Sequence, residues 1–200
     1  MKVAIIDYGV GNLRSVYRGL QQGGAEPIIT IDEDTIRRCD AVVLPGVGAF
    51  SDAMSGLGSL GELLREIAGE KPVLGICLGL QLFFTESEEE GLHQGLDLIR
   101  GRVVRLPPTV KIPQMGWNSI NIKKDSRFLE GIRDGDFFYF VHSFYAKPEE
   151  DVVLATTEYG VEVPAILEKG NIYATQFHPE KSGRKGLRIL KNFIDIAKSS

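Results

Sequence analysis

Through the first half of the chain, short apolar runs alternate with stretches whose apolar residues recur every three or four positions. The runs predict buried strands, and the 3.6-residue recurrence predicts amphipathic helices. Strands are expected at Val3–Asp7, Pro27–Ile31, Ala41–Leu44 and Pro72–Ile76. Helices are expected at Asn12–Gln22, Asp34–Arg38 and Phe50–Ile67, and a further helical pattern runs from Leu78 to Phe84. This βαβα rhythm predicts an α/β fold, a mostly parallel central sheet flanked by helices. The second half is richer in strands, with candidates at Gly101–Leu106, Phe137–Val141, Val152–Thr157, Ala165–Glu168 and Asn171–Thr175 before a closing helix at Arg184–Ala197. No linker, repeat or low-complexity segment interrupts the 200 residues, so a single domain is expected over 1–200.

Ligands of open parallel sheets gather beyond the carboxyl ends of the strands. Asp7, Pro45-Gly46-Val47-Gly48 and Cys77 all fall at such ends. The segment Gly75-Ile76-Cys77-Leu78-Gly79 joins a predicted strand directly to a predicted helix, as a nucleophile elbow does. Its glycines leave room where a Cβ would collide with a neighbouring element. The helix N-terminus supplies partial positive charge beside the sulfur.

A cysteine nucleophile needs a base, and the base needs an orienter. Phe177-His178-Pro179-Glu180 offers both. Pro179 drives His178 into an extended conformation, where residues two apart share a face. His178 and Glu180 can then hydrogen-bond. Backbone donors for a tetrahedral intermediate are available at Leu78, just after the cysteine, and in the glycine-rich Pro45–Gly48 segment.

Bulk properties narrow the field. A formal net charge of −4, with no basic cluster, argues against nucleic-acid binding. No apolar stretch is long enough to span a bilayer. The opening Met1-Lys2-Val3-Ala4-Ile5-Ile6-Asp7 turns acidic too soon for a secretory signal. With only Cys39 and Cys77, a disulfide framework is excluded and a cytoplasmic location is expected. His93, His142 and His178 stand far apart, so no metal site and no cofactor is expected. The glycine patterns at Gly9-Val10-Gly11 and Gly46-Val47-Gly48 lack the third glycine of a dinucleotide fingerprint, since Arg14 and Ser51 occupy its place.

Together, the Cys77 elbow, His178-Pro179-Glu180 and the Pro-Gly-Val-Gly segment resemble the class I (triad) glutamine amidotransferases. Asp7-Tyr8-Gly9-Val10-Gly11-Asn12-Leu13, Met115-Gly116-Trp117-Asn118, Phe138-Tyr139-Phe140-Val141-His142-Ser143 and Gln176–Gly183 are similar to the branch serving imidazole glycerol phosphate synthases in histidine biosynthesis. The resemblance spans the chain from the first strand to the last helix. It implies that Cys77 attacks the side-chain amide of L-glutamine, with His178 as base and Glu180 holding the imidazole. It further implies substrate contacts from Gly48, Gln81, Glu89 and Ser143, and an oxyanion hole at Val47 and Leu78 completed by a peptide flip. It implies as partner a (β/α)8-barrel cyclase subunit, forming a heterodimer with this chain and receiving the ammonia. Asn12, Met115, Trp117, Tyr139 and Lys181 would form the docking face. Gln114 departs from the histidine frequent before Met-Gly-Trp-Asn, and Phe144 from the tyrosine common after His-Ser.

Other readings compete with these. Cys39 reads as a small buried hydrophobe, and His142 as a hydrogen-bonded core or loop residue. Glu86, Glu88 and Glu90 read as a solvated acidic face. The rival functions are another triad amidotransferase, a non-enzymatic binding module on the same fold, and a cysteine peptidase. The Met115–Asn118 segment opposes the first and a complete triad opposes the second.

Overall fold

A computed structural model describes residues 1–199. The chain runs β1 (Lys2–Ile6), α1 (Leu13–Gln22), β2 (Glu26–Thr30), α2 (Glu33–Arg38), β3 (Ala41–Gly46), α3 (Phe50–Leu57), α4 (Leu60–Ala68), β4 (Val73–Cys77) and α5 (Leu78–Leu82). It continues with β5 (Phe84–Ser87), β6 (His93–Gln94), β7 (Ile99–Arg105), β8 (Gln114–Ser119), β9 (Asn121–Ile122), β10 (Phe137–His142), β11 (Phe144–Pro148), β12 (Val153–Glu158), β13 (Glu162–Lys169), β14 (Ile172–Thr175) and α6 (Gly183–Ala197).

An eight-stranded sheet in the order β2-β1-β3-β4-β14-β13-β12-β9 forms the centre. From β2 to β14 neighbouring strands run parallel, and from β14 to β9 they run antiparallel. Strands buried on both faces read as continuous apolar runs, which is why Val3–Ile6 and Ala41–Leu44 show no polar alternation. Val3, Ile5, Val43, Leu74 and Ile76 meet Val16 and Leu20 of α1 and Ile189, Leu190 and Phe193 of α6. On the opposite face Ala4, Ile6, Val42 and Leu44 meet apolar residues of α3, α4 and α5. A ribbon, β8–β10, and a small sheet, β11-β7-β5-β6, complete the structure. The mixed α/β architecture matches the sequence expectation.

Strands β6, β8, β9 and β11 were not expected, and two expected helices differ from the structure. The helix expected over Phe50–Ile67 is broken into α3 and α4 at Gly58, whose φ of 50° a continuous helix cannot hold. The helical pattern after Cys77 ends at Leu82, and Phe84–Ser87 pairs with β7 and β6 instead. A short apolar run does not distinguish helix from strand by periodicity, and here tertiary pairing decides.

One of the two tightest approaches among the described residues lies where α5 crosses β3. A Cβ on Gly79 would stand 1.9 Å from the Leu44 carbonyl oxygen, a backbone atom that cannot swing aside. Gly79→Ala is therefore expected to lower stability by about 3 kcal/mol in urea denaturation. A midpoint equal to that of the unsubstituted chain would show that α5 can lift from the sheet freely.

Candidate functional site

The parallel register sets Gly46 of β3 beside Cys77 of β4, and Thr175 of β14 beside Ile76. The carboxyl ends of three strands, distant in sequence, thus converge on one point. Cys77 itself turns from β4 into α5 with φ 54° and ψ −106°. A non-glycine residue there stores on the order of 1–3 kcal/mol of strain, which the packing around it must hold. The expected elbow is present.

His178 follows β14, and its Nδ1 lies 2.9 Å from Glu180 Oε1. Both side chains are almost wholly buried. The second ring nitrogen, Nε2, is buried without a formed hydrogen bond. Burial disfavours the imidazolium, but interactions with Cys77 and then Glu180 prevail and push the His178 pKa up to about 10. The imidazole is thus a strong proton acceptor held at the sulfur. The three triad residues are brought together as expected.

A cavity of about 310 Å³ opens on the sulfur. Its wall includes Val47, Gly48, Cys77, Leu78, Gln81, Glu89 and Ser143, every residue expected to touch substrate or oxyanion. His178 and Glu180 lie outside that wall. Gln81, one turn along α5, donates Nε2 to the Phe144 carbonyl at 2.9 Å. Phe144 therefore contributes through its backbone, whatever its ring. Glu89 accepts the Phe50 amide at the start of α3 at 2.8 Å. Burial raises the Glu89 carboxyl above the ordinary range, opposed by that amide bond. The neighbouring glutamates are exposed or partly exposed, as expected of a solvated face. Gly48 has φ 104°, and the space where its Cβ would stand is empty to 4 Å, so the segment before α3 has room to turn.

Three residues of the site escaped sequence reasoning. Tyr8 is buried and donates its hydroxyl to the Pro45 carbonyl at 2.6 Å. A Cβ on Gly46 would meet that hydroxyl oxygen at 2.6 Å, so the phenol fixes the approach of the glycine-rich segment. Burial, and then negative charge at Cys77, push the Tyr8 phenol far above its usual range and keep it a donor. Ser182 donates to the His178 carbonyl at 2.6 Å and accepts the Tyr139 amide at 2.9 Å, while the His178 amide bonds the Tyr139 carbonyl at 2.9 Å. Gln176 lies against the sulfur. The signal for Tyr8 and Gln176 was their place at strand ends. For Ser182 there was none.

Of the expected docking residues, Met115, Trp117 and Tyr139 share one side of the β8–β10 ribbon. Met115 and Trp117 are exposed, and Trp117 pairs with Tyr139 across the ribbon, their rings 6.1 Å apart edge to face. Exposed Phe137 extends the stripe and had not been expected to belong to it. Lys181 is exposed and Asn12 partly so. Cys39 is buried, where desolvation raises its thiol pKa. Among the described residues, no group of three or more His, Cys, Asp or Glu side chains is placed to hold a metal ion, and no helix is long and apolar enough to cross a membrane.

The family model for glutamine amidotransferase class-I matches residues 4–197. The chain belongs to the class-I glutamine amidotransferases. Curated relatives of this amidotransferase are imidazole glycerol phosphate synthase subunits HisH. That of Methanothermobacter thermautotrophicus is 55% identical over 199 residues, covering 98% of this chain and 100% of the relative. That of Caldanaerobacter subterraneus is 52% identical over 200 residues, with 98% of each chain covered. Among solved structures, PurLQS from Thermotoga maritima superposes with a TM-score of 0.73 at 18% identity, over 98% of both chains. A glutamine amidotransferase from the same organism gives 0.65 at 19% identity, over 100% of this chain and 84% of its own. These two likenesses speak for the amidotransferase fold alone.

His142 is buried beside this site, with Nδ1 2.8 Å from the Phe144 carbonyl oxygen and Nε2 2.8 Å from the Gln114 carboxamide. The departure at Gln114 thus supplies a buried partner to His142, a core residue as expected. Burial lowers the His142 pKa to about 4, against the pull of the Phe144 carbonyl and with added repulsion from His178. The unfolded chain takes up this proton near the ordinary histidine value, while the folded chain resists to about 4. Stability from this group is therefore complete above about pH 6.5 and is lost as pH falls towards 4. The expected result is that His142→Gln shows a smaller loss of urea stability between pH 7.5 and pH 5 than the unsubstituted chain. Equal losses would show that His142 does not resist protonation.

Proposed function

We propose that this amidotransferase is the glutaminase subunit of an imidazole glycerol phosphate synthase in histidine biosynthesis. It hydrolyses L-glutamine to glutamate and passes the ammonia to a (β/α)8-barrel cyclase subunit, with which it forms a heterodimer in the cytoplasm. The observation that carries the reading is the His178–Glu180 pair, buried at the sulfur of Cys77, which opens on a mainly apolar cavity whose wall also holds Gln81, Glu89 and Ser143.

Gln81, Glu89, Gly48 and Ser143 hold the amino-acid end of glutamine in that cavity. The Cys77 sulfur then bonds to the side-chain amide carbon as His178 takes the thiol proton. The carbonyl electron pair moves to oxygen, where the Leu78 amide and the Val47 amide, once its peptide turns inward, receive the charge. His178 returns the proton to nitrogen, the C–N bond breaks and ammonia leaves. Water adds to the thioester with its proton passing to His178, and the C–S bond breaks to release glutamate and restore the thiol. The ammonia must stay off bulk water, where protonation would remove its nucleophilic lone pair. Met115, Trp117, Phe137, Tyr139, Lys181 and Asn12 form the face that meets the cyclase. Because the Val47 peptide must turn, partner binding can set the population of the competent loop.

Cys77→Ala is expected to abolish glutamine hydrolysis while the variant still co-purifies with the barrel cyclase. Retained hydrolysis removes Cys77 from the mechanism, and recovery of a different synthase as the native partner refutes the assignment. Glutaminase turnover is expected to rise at least tenfold when the cyclase and its nucleotide ligand are added to the purified chain (~1.4 kcal/mol of coupling). Equal turnover with and without them would show that the loop needs no partner.

A further inference from the structure

Gln176 is fully buried in the residue step between β14 and His178, and the triad makes no use of it. Its Nε2 lies 3.7 Å from the Cys77 sulfur, and its Oε1 lies 3.2 Å from Gln81 Nε2. The orientation of this amide follows from its neighbours. The Phe144 carbonyl can only accept, so the Gln81 group facing it must be the NH2. The second hydrogen of that NH2 then meets an acceptor, the oxygen of Gln176. This leaves the NH2 of Gln176 turned to the sulfur. Apart from His178, no other side chain among the described residues offers the sulfur an N–H. Among the described residues the thiol also makes its own donation to the Val141 carbonyl at 3.6 Å.

We propose that Gln176 is a further catalytic residue of this site: its N–H steadies negative charge on the Cys77 sulfur, while its oxygen fixes Gln81 in the cavity wall. The proposal rests on the reading of Cys77 as the nucleophile. As the thiol proton moves to His178, charge appears on a sulfur that is almost wholly buried, Cys77 being only 6% exposed. A buried, fixed amide then supplies the dipole that solvent would supply elsewhere. Hydrogen bonds to ionised groups are roughly twice as strong as neutral ones, so the contact tightens as the thiolate forms. One carboxamide thus links the attacking atom to the residue that holds the molecule under attack.

The test uses alkylation of Cys77 by iodoacetamide, in which sulfur bonds to the methylene carbon and iodide departs. Rates are followed against pH in the full chain, with the modified cysteine located by mass spectrometry and folding checked by thermal unfolding. Gln176→Leu removes both bonds. Gln176→Glu keeps the side-chain length and the acceptor for Gln81 but turns an anion to the sulfur, and it carries the comparison should the leucine variant not fold. In Gln176→Leu the alkylation rate at pH 7 is expected to fall about tenfold, with the rising limb of the profile displaced to higher pH. Gln176→Glu is expected to fall further. In both, kcat for glutamine hydrolysis in complex with the cyclase falls. Alkylation profiles that superpose on that of the unsubstituted chain, with the loss confined to KM for glutamine, would overturn the proposal and leave Gln176 a brace for Gln81. That result leaves the glutaminase reading intact, whereas glutamine hydrolysis by Cys77→Ala overturns both.

Discussion

Parallel pairing of β14 with β4 is the constraint on which the site depends. It sets Thr175 beside Ile76, so that the chain leaving β14 passes the sulfur of Cys77 as it leaves the sheet. Roughly a hundred residues separate the two strands in sequence, and closing that distance costs entropy before any contact rewards it. The reward is large, since both strands are buried on both faces between helices. A nucleophile and its base placed on separate loops would need each loop to be ordered. Here the ladder of the sheet orders both at once.

Holding Cys77 in its unfavourable backbone conformation requires close packing on every side. Gly79 lets α5 approach the Leu44 carbonyl, and Gly46 lets β3 approach Tyr8 and Leu78. The Tyr8 hydroxyl completes this arrangement by bonding the Pro45 carbonyl, directly before the segment whose peptide is proposed to turn. One side of the sulfur is thus rigid and the other adjoins a segment with open space at Gly48. The tight approach at Gly46 and the open space at Gly48 are separated by two residues of sequence.

Much of this was legible in the sequence because the signals were local. Continuous apolar runs gave the parallel strands, and the spacing of Gly75, Cys77 and Gly79 gave the elbow. His178 and Glu180 were expected to pair across an extended segment; His178 is extended, but Pro179–Lys181 forms a 3-10 turn, and the pair forms across that turn instead. What stayed hidden depended on distant partners. Gln114–Ser119 contains glycine, asparagine and two exposed apolar residues, and it becomes a strand only by pairing with β10. The pairing of Phe84–Ser87 with β7 overrides a pattern that reads equally as helix. Gln176 looked like one more polar residue in a motif, since nothing local shows that its amide faces a sulfur.

Tyr139 serves two masters through different atoms. Its ring stands on the ribbon face beside Trp117, whereas its amide and carbonyl are engaged by Ser182 and His178. Evolutionary drift of the ring can therefore retune recognition of another molecule while the peptide goes on anchoring the imidazole. A displacement of the strand itself, by contrast, would reach the imidazole across a single main-chain bond. Surface identity and internal registration are in this way inherited separately at one position.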